Sequence, residues 1–155
     1  MAKFLGMQHI ALKVRDAGRS AAFYERAFAM RRFGPPKRGG TVIPLVTPDF
    51  SAQITLSSEP ASGETGSVLG NPGEQGGIDH FGFTISPGAN LDDVRARLIA
   101  CGASYLCRSD IHPRVPSLFF KDPDGYVFQV TRFPRFTRLY VRLLPLIARF
   151  KGLTA

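Results

Sequence analysis

A chain of 155 residues, with 44% hydrophobic and 21% charged residues, is long enough for one globular domain or for two small modules that share a core. Its net charge of +8 does not indicate a nucleic-acid-binding surface: the first 130 residues carry 14 basic and 12 acidic side chains, a net of +2, and the other six basic residues follow in the tail. No apolar stretch suits a membrane span or a secretory signal, and two cysteines without a pairing pattern fit the reducing cytoplasm.

The first half of the chain predicts one helix among short strands. Alternating polar and apolar residues indicate strands, and an apolar stripe at helical spacing indicates a helix that Asp16 or Ser20 can cap. The predicted elements are, in chain order, strand 8–14, helix 19–30, loop 33–40 and strands 41–46 and 52–57.

The second half repeats this order after a segment rich in Gly, Ser, Pro and Glu at 59–77. Asn90 can cap its helix and Gly102 can end it. The Asp122–Gly125 stretch (Asp-Pro-Asp-Gly) predicts a tight turn between the last two strands. The predicted elements are strand 79–85, helix 91–101 and strands 104–107, 118–121 and 126–131.

One histidine lies near the start of the first strand of each half. His9 and His80 are about 70 residues apart, which gives an internal repeat of that period. A single histidine in such a place is most often structural, but two at equivalent points of a repeat favour a shared site.

The pattern resembles the vicinal oxygen chelate superfamily, which includes glyoxalase I, extradiol dioxygenases, fosfomycin-resistance enzymes, methylmalonyl-CoA epimerase and bleomycin-resistance proteins. Residues 9–16 with 20–24, residues 79–83, and residues 117–130 with their Asp-Pro-Asp-Gly turn carry the resemblance. It extends over about residues 5–133.

The resemblance implies an α+β fold in which two βαβββ modules form a half-open, barrel-like cup. We expect a single domain at 1–133, with module one at about 5–58, the linker at 59–77 and module two at about 78–133. Residues 134–155 lie outside the family pattern. Their arginines and apolar side chains recur at helical spacing and predict a basic amphipathic C-terminal helix.

By resemblance, His9, His80 and Gln129 fall at the positions that ligate a divalent metal, which would be iron, manganese, nickel or zinc. Gln129 replaces the usual carboxylate. Two neutral imidazoles and a neutral amide supply no negative charge, so we expect weaker metal binding than in relatives with a glutamate. A hydrogen-bonding role is the alternative for Gln129.

The remaining candidate residues surround the expected cup. Thr55 matches a position that glyoxalase I fills with glutamate, and Gln53 shares its face, so both are candidate substrate contacts. Tyr126 is a candidate hydrogen-bond donor to substrate, with packing as the alternative. His112 is a candidate acid–base residue, and Arg114, like Arg108, could bind an anionic substrate.

These residues favour a metal-dependent enzyme of the dioxygenase or lyase/isomerase type. Glyoxalase I activity itself is not expected, because Thr55 and Gln129 supply no carboxylate. The second hypothesis is a metal-free small-molecule binder of the bleomycin-resistance kind. The third is a membrane-associated accessory protein whose C-terminal helix contacts anionic lipid. We expect a homodimer in the cytoplasm and no nucleic-acid partner.

Overall fold

The computed structural model describes residues 7, 9–58, 78–109 and 115–137. The elements are β1 (Ile10–Lys13), α1 (Ala17–Phe28), β2 (Arg31–Arg32), β3 (Val42–Val46), β4 (Gln53–Ser57), β5 (Phe81–Ile85), α2 (Leu91–Ala100), β6 (Ser104–Ser109), β7 (Ser117–Lys121) and β8 (Val127–Arg132). A short 3-10 turn, Arg38–Gly40, precedes β3. Within these described ranges no helix is both long and apolar enough to cross a membrane.

The strands form two four-stranded mixed sheets of identical topology. The first sheet has the order β1-β4-β3-β2 and the second the order β5-β8-β7-β6. In each sheet the first strand of the module runs parallel to the last, and the other pairs are antiparallel. The predicted fold of two βαβββ modules is confirmed, and no ladder among the described strands closes the two sheets into a barrel.

Helix α1 begins earlier than predicted, and one short strand was not predicted. Helix α1 begins at Ala17, two residues before the predicted start, because the Asp16 side chain accepts a hydrogen bond from the Arg19 amide and caps the helix. Strand β2 was not predicted. It has two exposed arginines that pair with Val46 and Leu45 of β3, and such a short polar strand shows no alternation.

The cap and turn predictions in the second module are confirmed. The Asn90 side chain caps α2 by accepting from the Asp92 amide, and Gly102 follows the helix with a φ of 103°. Gly125 closes the β7–β8 turn with a φ of 97°. The carboxylate of Asp122 accepts from the amides of Asp124 and Tyr126, both at 2.9 Å.

One hydrophobic core serves both modules. Helix α1 contacts β3 and β4 of its own sheet, while its Phe28 ring stacks on Phe83 of β5 with the centroids 3.8 Å apart. Phe23 of the same helix lies 6.2 Å from the ring of Phe128 on β8. Each sheet therefore turns one face to a shared core, and we call the opposite face of each sheet its cup face.

Several predictions fall on residues outside the described ranges. These are the linker 59–77, the candidate site residues His112 and Arg114, and nearly all of the predicted C-terminal helix. The described part of that helix ends at Thr137.

Candidate metal and substrate site

Strand alternation places Gln129 on the cup face of the second sheet. Its neighbours Phe128 and Val130 are completely buried in the core, whereas Gln129 is only half-buried. In register it lies between Gly82 of β5 and Phe119 of β7. The amide thus has an aromatic ring on one side and a residue without a side chain on the other.

Gly82 keeps the space beside this amide open. A Cβ built at this glycine would lie 3.7 Å from the Gln129 backbone oxygen and 4.0 Å from its side-chain oxygen Oε1. These are ordinary van der Waals distances, so the backbone does not require glycine here. What the missing side chain provides is access from solvent to the Gln129 side chain.

His80 precedes β5 at the edge of the same cup face. Its imidazole lies edge-on to the Phe119 ring, with 5.3 Å between the ring centroids. Its Nδ1 atom lies 2.5 Å from the Asp79 carboxylate, and the side chain is 37% exposed. His80, just before β5, and Gln129, on the neighbouring strand β8, therefore both adjoin Phe119.

The first sheet presents the other predicted residues. Thr55 pairs with Ala11 of β1 and with Pro44 of β3, and Gln53 pairs with Val46. Both are half-buried on the face opposite the core residues Ile54 and Leu56. His9 is exposed immediately before β1. The prediction that Gln53 and Thr55 share a face agrees with this register.

Tyr126 takes part in a contact between the modules. Its hydroxyl donates a 2.7 Å hydrogen bond to the backbone carbonyl of Lys13 at the end of β1, and burial raises its pKa. To donate to a substrate, the hydroxyl would have to leave this acceptor. Arg108 lies on β6, the edge strand of the second sheet, opposite Leu118.

Sequence reasoning missed a polar network between α1 and the Asp-Pro-Asp-Gly turn. The Tyr24 hydroxyl donates a 2.7 Å hydrogen bond to the buried carboxylate of Asp122. Burial, together with the Asp122 charge, raises the pKa of Tyr24, and burial raises the pKa of Asp122 despite its hydrogen bonds.

A second pair in the same network joins the helix to the turn. The Ser20 hydroxyl donates to the Asp124 carboxylate, which also accepts from the Arg15 amide at 3.1 Å. The partners are about 100 residues apart in sequence, so no local pattern could have identified them.

A cleft of about 500 Å³ runs beside the cup face of the second sheet, between the β3–β4 turn and β5. Its polar lining includes Thr47, Asp49 and Ser51 on one side, and Gly82 and Thr84 on the other. Hydrogen bonds from Thr47 and Ser51 lower the pKa of Asp49 to about 2, so this carboxylate is ionised at neutral pH. Gly82, the strand partner of Gln129, lines this cleft, whereas Gln129 itself does not.

The sequence model of the Glyoxalase/Bleomycin resistance protein/Dioxygenase superfamily matches residues 6–130. The chain belongs to this superfamily. The resemblance to vicinal oxygen chelate proteins is thereby confirmed over most of the chain. No curated protein sequence matches the chain at a significant level.

Solved structures with this superfamily fold cover nearly all of the chain. A mutant of the fosfomycin resistance protein FosX from Listeria monocytogenes, complexed with Mn(II) and 1S,2S-dihydroxypropylphosphonic acid, is 18% identical with a TM-score of 0.64, over 90% of this chain and 99% of that one. A glyoxylase/bleomycin resistance protein/dioxygenase domain from Frankia sp. EAN1pec is 23% identical with a TM-score of 0.62, over 87% and 96% of the two chains.

A lactoylglutathione lyase from Agrobacterium tumefaciens is 19% identical with a TM-score of 0.62, over 84% of this chain and 95% of that one. At these identities the likeness concerns the fold. It establishes that the sheets and helices of this superfamily member are arranged as in solved relatives.

The cup-face residues of this superfamily member fit a divalent ion by their chemistry. Imidazole nitrogens suit zinc, iron and nickel, and a carbonyl oxygen such as that of Gln129 suits manganese. Within the described ranges, no three His, Cys, Asp or Glu side chains form a group that could hold a metal. A set made of His9, His80 and Gln129 contains only two residues of those types, so this finding leaves it open.

Proposed function

We propose that this protein is a metal-dependent enzyme acting on a small molecule with vicinal oxygens, and that His9, His80 and Gln129 hold the metal ion. The observation that carries the proposal is that His80 and Gln129 both adjoin Phe119 on one cup face, where Gly82 is the strand partner of Gln129. The FosX complexes of the same fold contain Mn(II), which supports this proposal.

The bound ion would act as a Lewis acid that polarises the substrate oxygens. The protein residues would orient the substrate and exclude water. Phe119 offers an apolar wall beside the donor atoms, and Thr55 and Gln53 offer a hydroxyl and an amide from the other cup face. A dioxygenase or lyase/isomerase reaction suits this set better than glyoxalase I chemistry, which needs a carboxylate where Thr55 and Gln129 stand.

Metal loading tests the proposal directly. Purified protein is loaded anaerobically with iron, manganese, nickel or zinc, and the bound metal is counted by elemental analysis. We expect one ion per chain in the wild type and loss of that ion in the His9→Ala and His80→Ala variants. Failure of every metal to bind stoichiometrically would contradict the proposal.

The Gln129→Glu variant tests the same proposal by a gain of metal affinity. A carboxylate at this position adds a negative charge to the donor set, so we expect tighter Mn(II) binding than in the wild type. Gln53→Glu is the matched control, because it makes the same change on the cup face of the other sheet.

A metal-free binding protein is the second candidate function. It is favoured by the neutral donor set and by the cleft that opens beside Phe83 and Gly82. Such a protein would bind an aromatic or apolar ligand in that cleft with equal affinity before and after chelator treatment, as measured by calorimetry.

We also propose that the protein is a homodimer. Large apolar side chains remain exposed on the described surface, among them Phe33 (54%), Phe50 (69%) and Leu106 (43%), and a second copy would cover part of this area. Light scattering coupled to size-exclusion chromatography should give twice the chain mass, and a monomer at micromolar concentration would contradict this proposal.

A further inference from the structure

We propose that Asp79 is a positioning residue for His80, and that its carboxylate holds the imidazole in the tautomer that leaves Nε2 free to ligate. The inference rests on the proposed function, because it concerns the residue that would present a nitrogen to the metal ion. Asp79 itself would not be a ligand.

The contact between Asp79 and His80 depends on the conformation of the backbone just before β5. Successive side chains on a strand point to opposite faces, so neighbours in sequence do not normally touch. Asp79 and His80 lie just before β5, where the Asp79 carboxylate, which is 95% exposed to solvent, lies 2.5 Å from Nδ1. The Phe119 ring lies edge-on to the same imidazole. The imidazole thus has one polar contact and one aromatic contact.

The chemistry of the two partners fixes the proton. An ionised carboxylate only accepts hydrogen bonds, so Nδ1 must carry the hydrogen in this contact. In the neutral imidazole, Nε2 then keeps its lone pair. In metalloproteins a carboxylate that accepts from a ligating histidine also raises the basicity of the ligating nitrogen, and losing it typically lowers metal affinity 10- to 100-fold.

This contact also bears on the charge of the donor set. Gln129 contributes no negative charge where relatives have a carboxylate, and sequence reasoning found no replacement. Asp79 supplies one negative charge next to a ligand. The negative charge that compensates the metal ion would therefore come from Asp79, which contacts the ligand His80 but does not itself bind the ion.

The tautomer can be read in the metal-free protein. Long-range proton–nitrogen NMR spectra of the histidine rings report which nitrogen carries the hydrogen, and the His80→Ala spectrum assigns the His80 signals. We expect His80 to be protonated at Nδ1 in the wild type and to become a mixture of tautomers in Asp79→Ala. Asp93→Ala is the control, because Asp93 is an exposed carboxylate in the first turn of α2. A wild-type ring protonated mainly at Nε2 would overturn the inference.

Mn(II) binding, followed by the electron paramagnetic resonance signal of free Mn(II), provides the second readout. We expect the affinity of Asp79→Ala to be roughly 10-fold below that of Asp93→Ala, which is the lower end of the usual range because the Asp79 carboxylate is exposed to solvent, with Asp79→Glu restoring part of the loss. Equal affinities of Asp79→Ala and Asp93→Ala, with the wild type binding Mn(II), would overturn this inference alone. A wild type that binds none of the metals would overturn the proposed function as well.

Discussion

At the scale of single residues, the Asp122 carboxylate hydrogen-bonds both to its own turn and to helix α1, so it contributes to the stability of the chain. Its carboxylate is buried and accepts hydrogen bonds from the Tyr24 hydroxyl and from two backbone amides. A buried acceptor of this kind is costly when a donor is removed, because water cannot replace the donor.

Tyr24→Phe tests this cost. The variant keeps the aromatic packing but removes the donor to Asp122, and we expect the free energy of unfolding to fall by about 1–3 kcal/mol. Tyr105→Phe is the control, since Tyr105 packs against Phe120 and its described contacts are with its ring only. Urea denaturation measures both. Equal losses in the two variants would argue against a special role for the Tyr24 hydrogen bond.

The pH dependence of stability tests the state of Asp122. Burial raises its pKa in the folded protein above the ordinary value, so between these two pKa values the folded state binds more protons than the unfolded state. Its contribution to stability is therefore fully present at low pH and is lost as the pH rises through the folded pKa. We expect Asp122→Asn, which cannot ionise, to gain stability relative to the wild type as the pH increases from about 3 to 7. Urea denaturation at each pH measures the free energy of unfolding of both proteins. A difference between them that does not change with pH would contradict the raised pKa of Asp122.

At the scale of elements, the β7–β8 turn depends on one glycine. Gly125 has a φ of 97°, and a Cβ added there would meet no atom within 4 Å, so any cost of a side chain arises from the backbone conformation. The β7–β8 turn also positions Asp122 and Asp124 against α1.

We expect Gly125→Ala to lower the free energy of unfolding by about 1–2 kcal/mol, which is the cost of a left-handed conformation for an L-residue. Gly88→Ala is the matched control, because that glycine also has open space around it but lacks a positive φ. Thermal denaturation of both variants checks the prediction, and a Gly88 variant as unstable as the Gly125 variant would contradict it.

At the scale of the whole molecule, the two modules should unfold together. The Phe28 ring of the first module stacks on Phe83 of the second and lies 5.5 Å from the Phe128 ring, so the core that stabilises one sheet also stabilises the other. Single-core domains of this size usually unfold cooperatively.

Phe28→Ala tests this coupling. We expect a loss of about 3 kcal/mol and an equal loss of hydrogen-exchange protection in β3–β4 and in β7–β8. Ile99→Ala should cost less than about 1 kcal/mol, because Ile99 is exposed on α2. Protection lost in the first module alone would show that the modules are energetically separate.

The sequence by itself determined the local structure and the family. Hydrophobic alternation placed Gln129 and its neighbours on the correct faces, and Asn90 marked the start of α2, whereas Asp16 and Ser20 stayed alternative caps for α1. The Asp-Pro-Asp-Gly turn was identified from its residue types. These features follow from interactions between residues close in the chain. The repeated order of the predicted elements, together with the family resemblance, predicted the two βαβββ modules.

Only the tertiary structure decided which residues meet across the modules. The Tyr24–Asp122 and Ser20–Asp124 hydrogen bonds join positions 98 and 104 residues apart, and they form because packing of α1 on the second sheet brings them together. The Asp79–His80 contact was also hidden, because strand alternation predicts that adjacent side chains point apart, and only the backbone before β5 turns them together. Spacing and periodicity thus selected the candidate donors. Their hydrogen-bond partners depended on how the two modules pack and, for His80, on the backbone before β5.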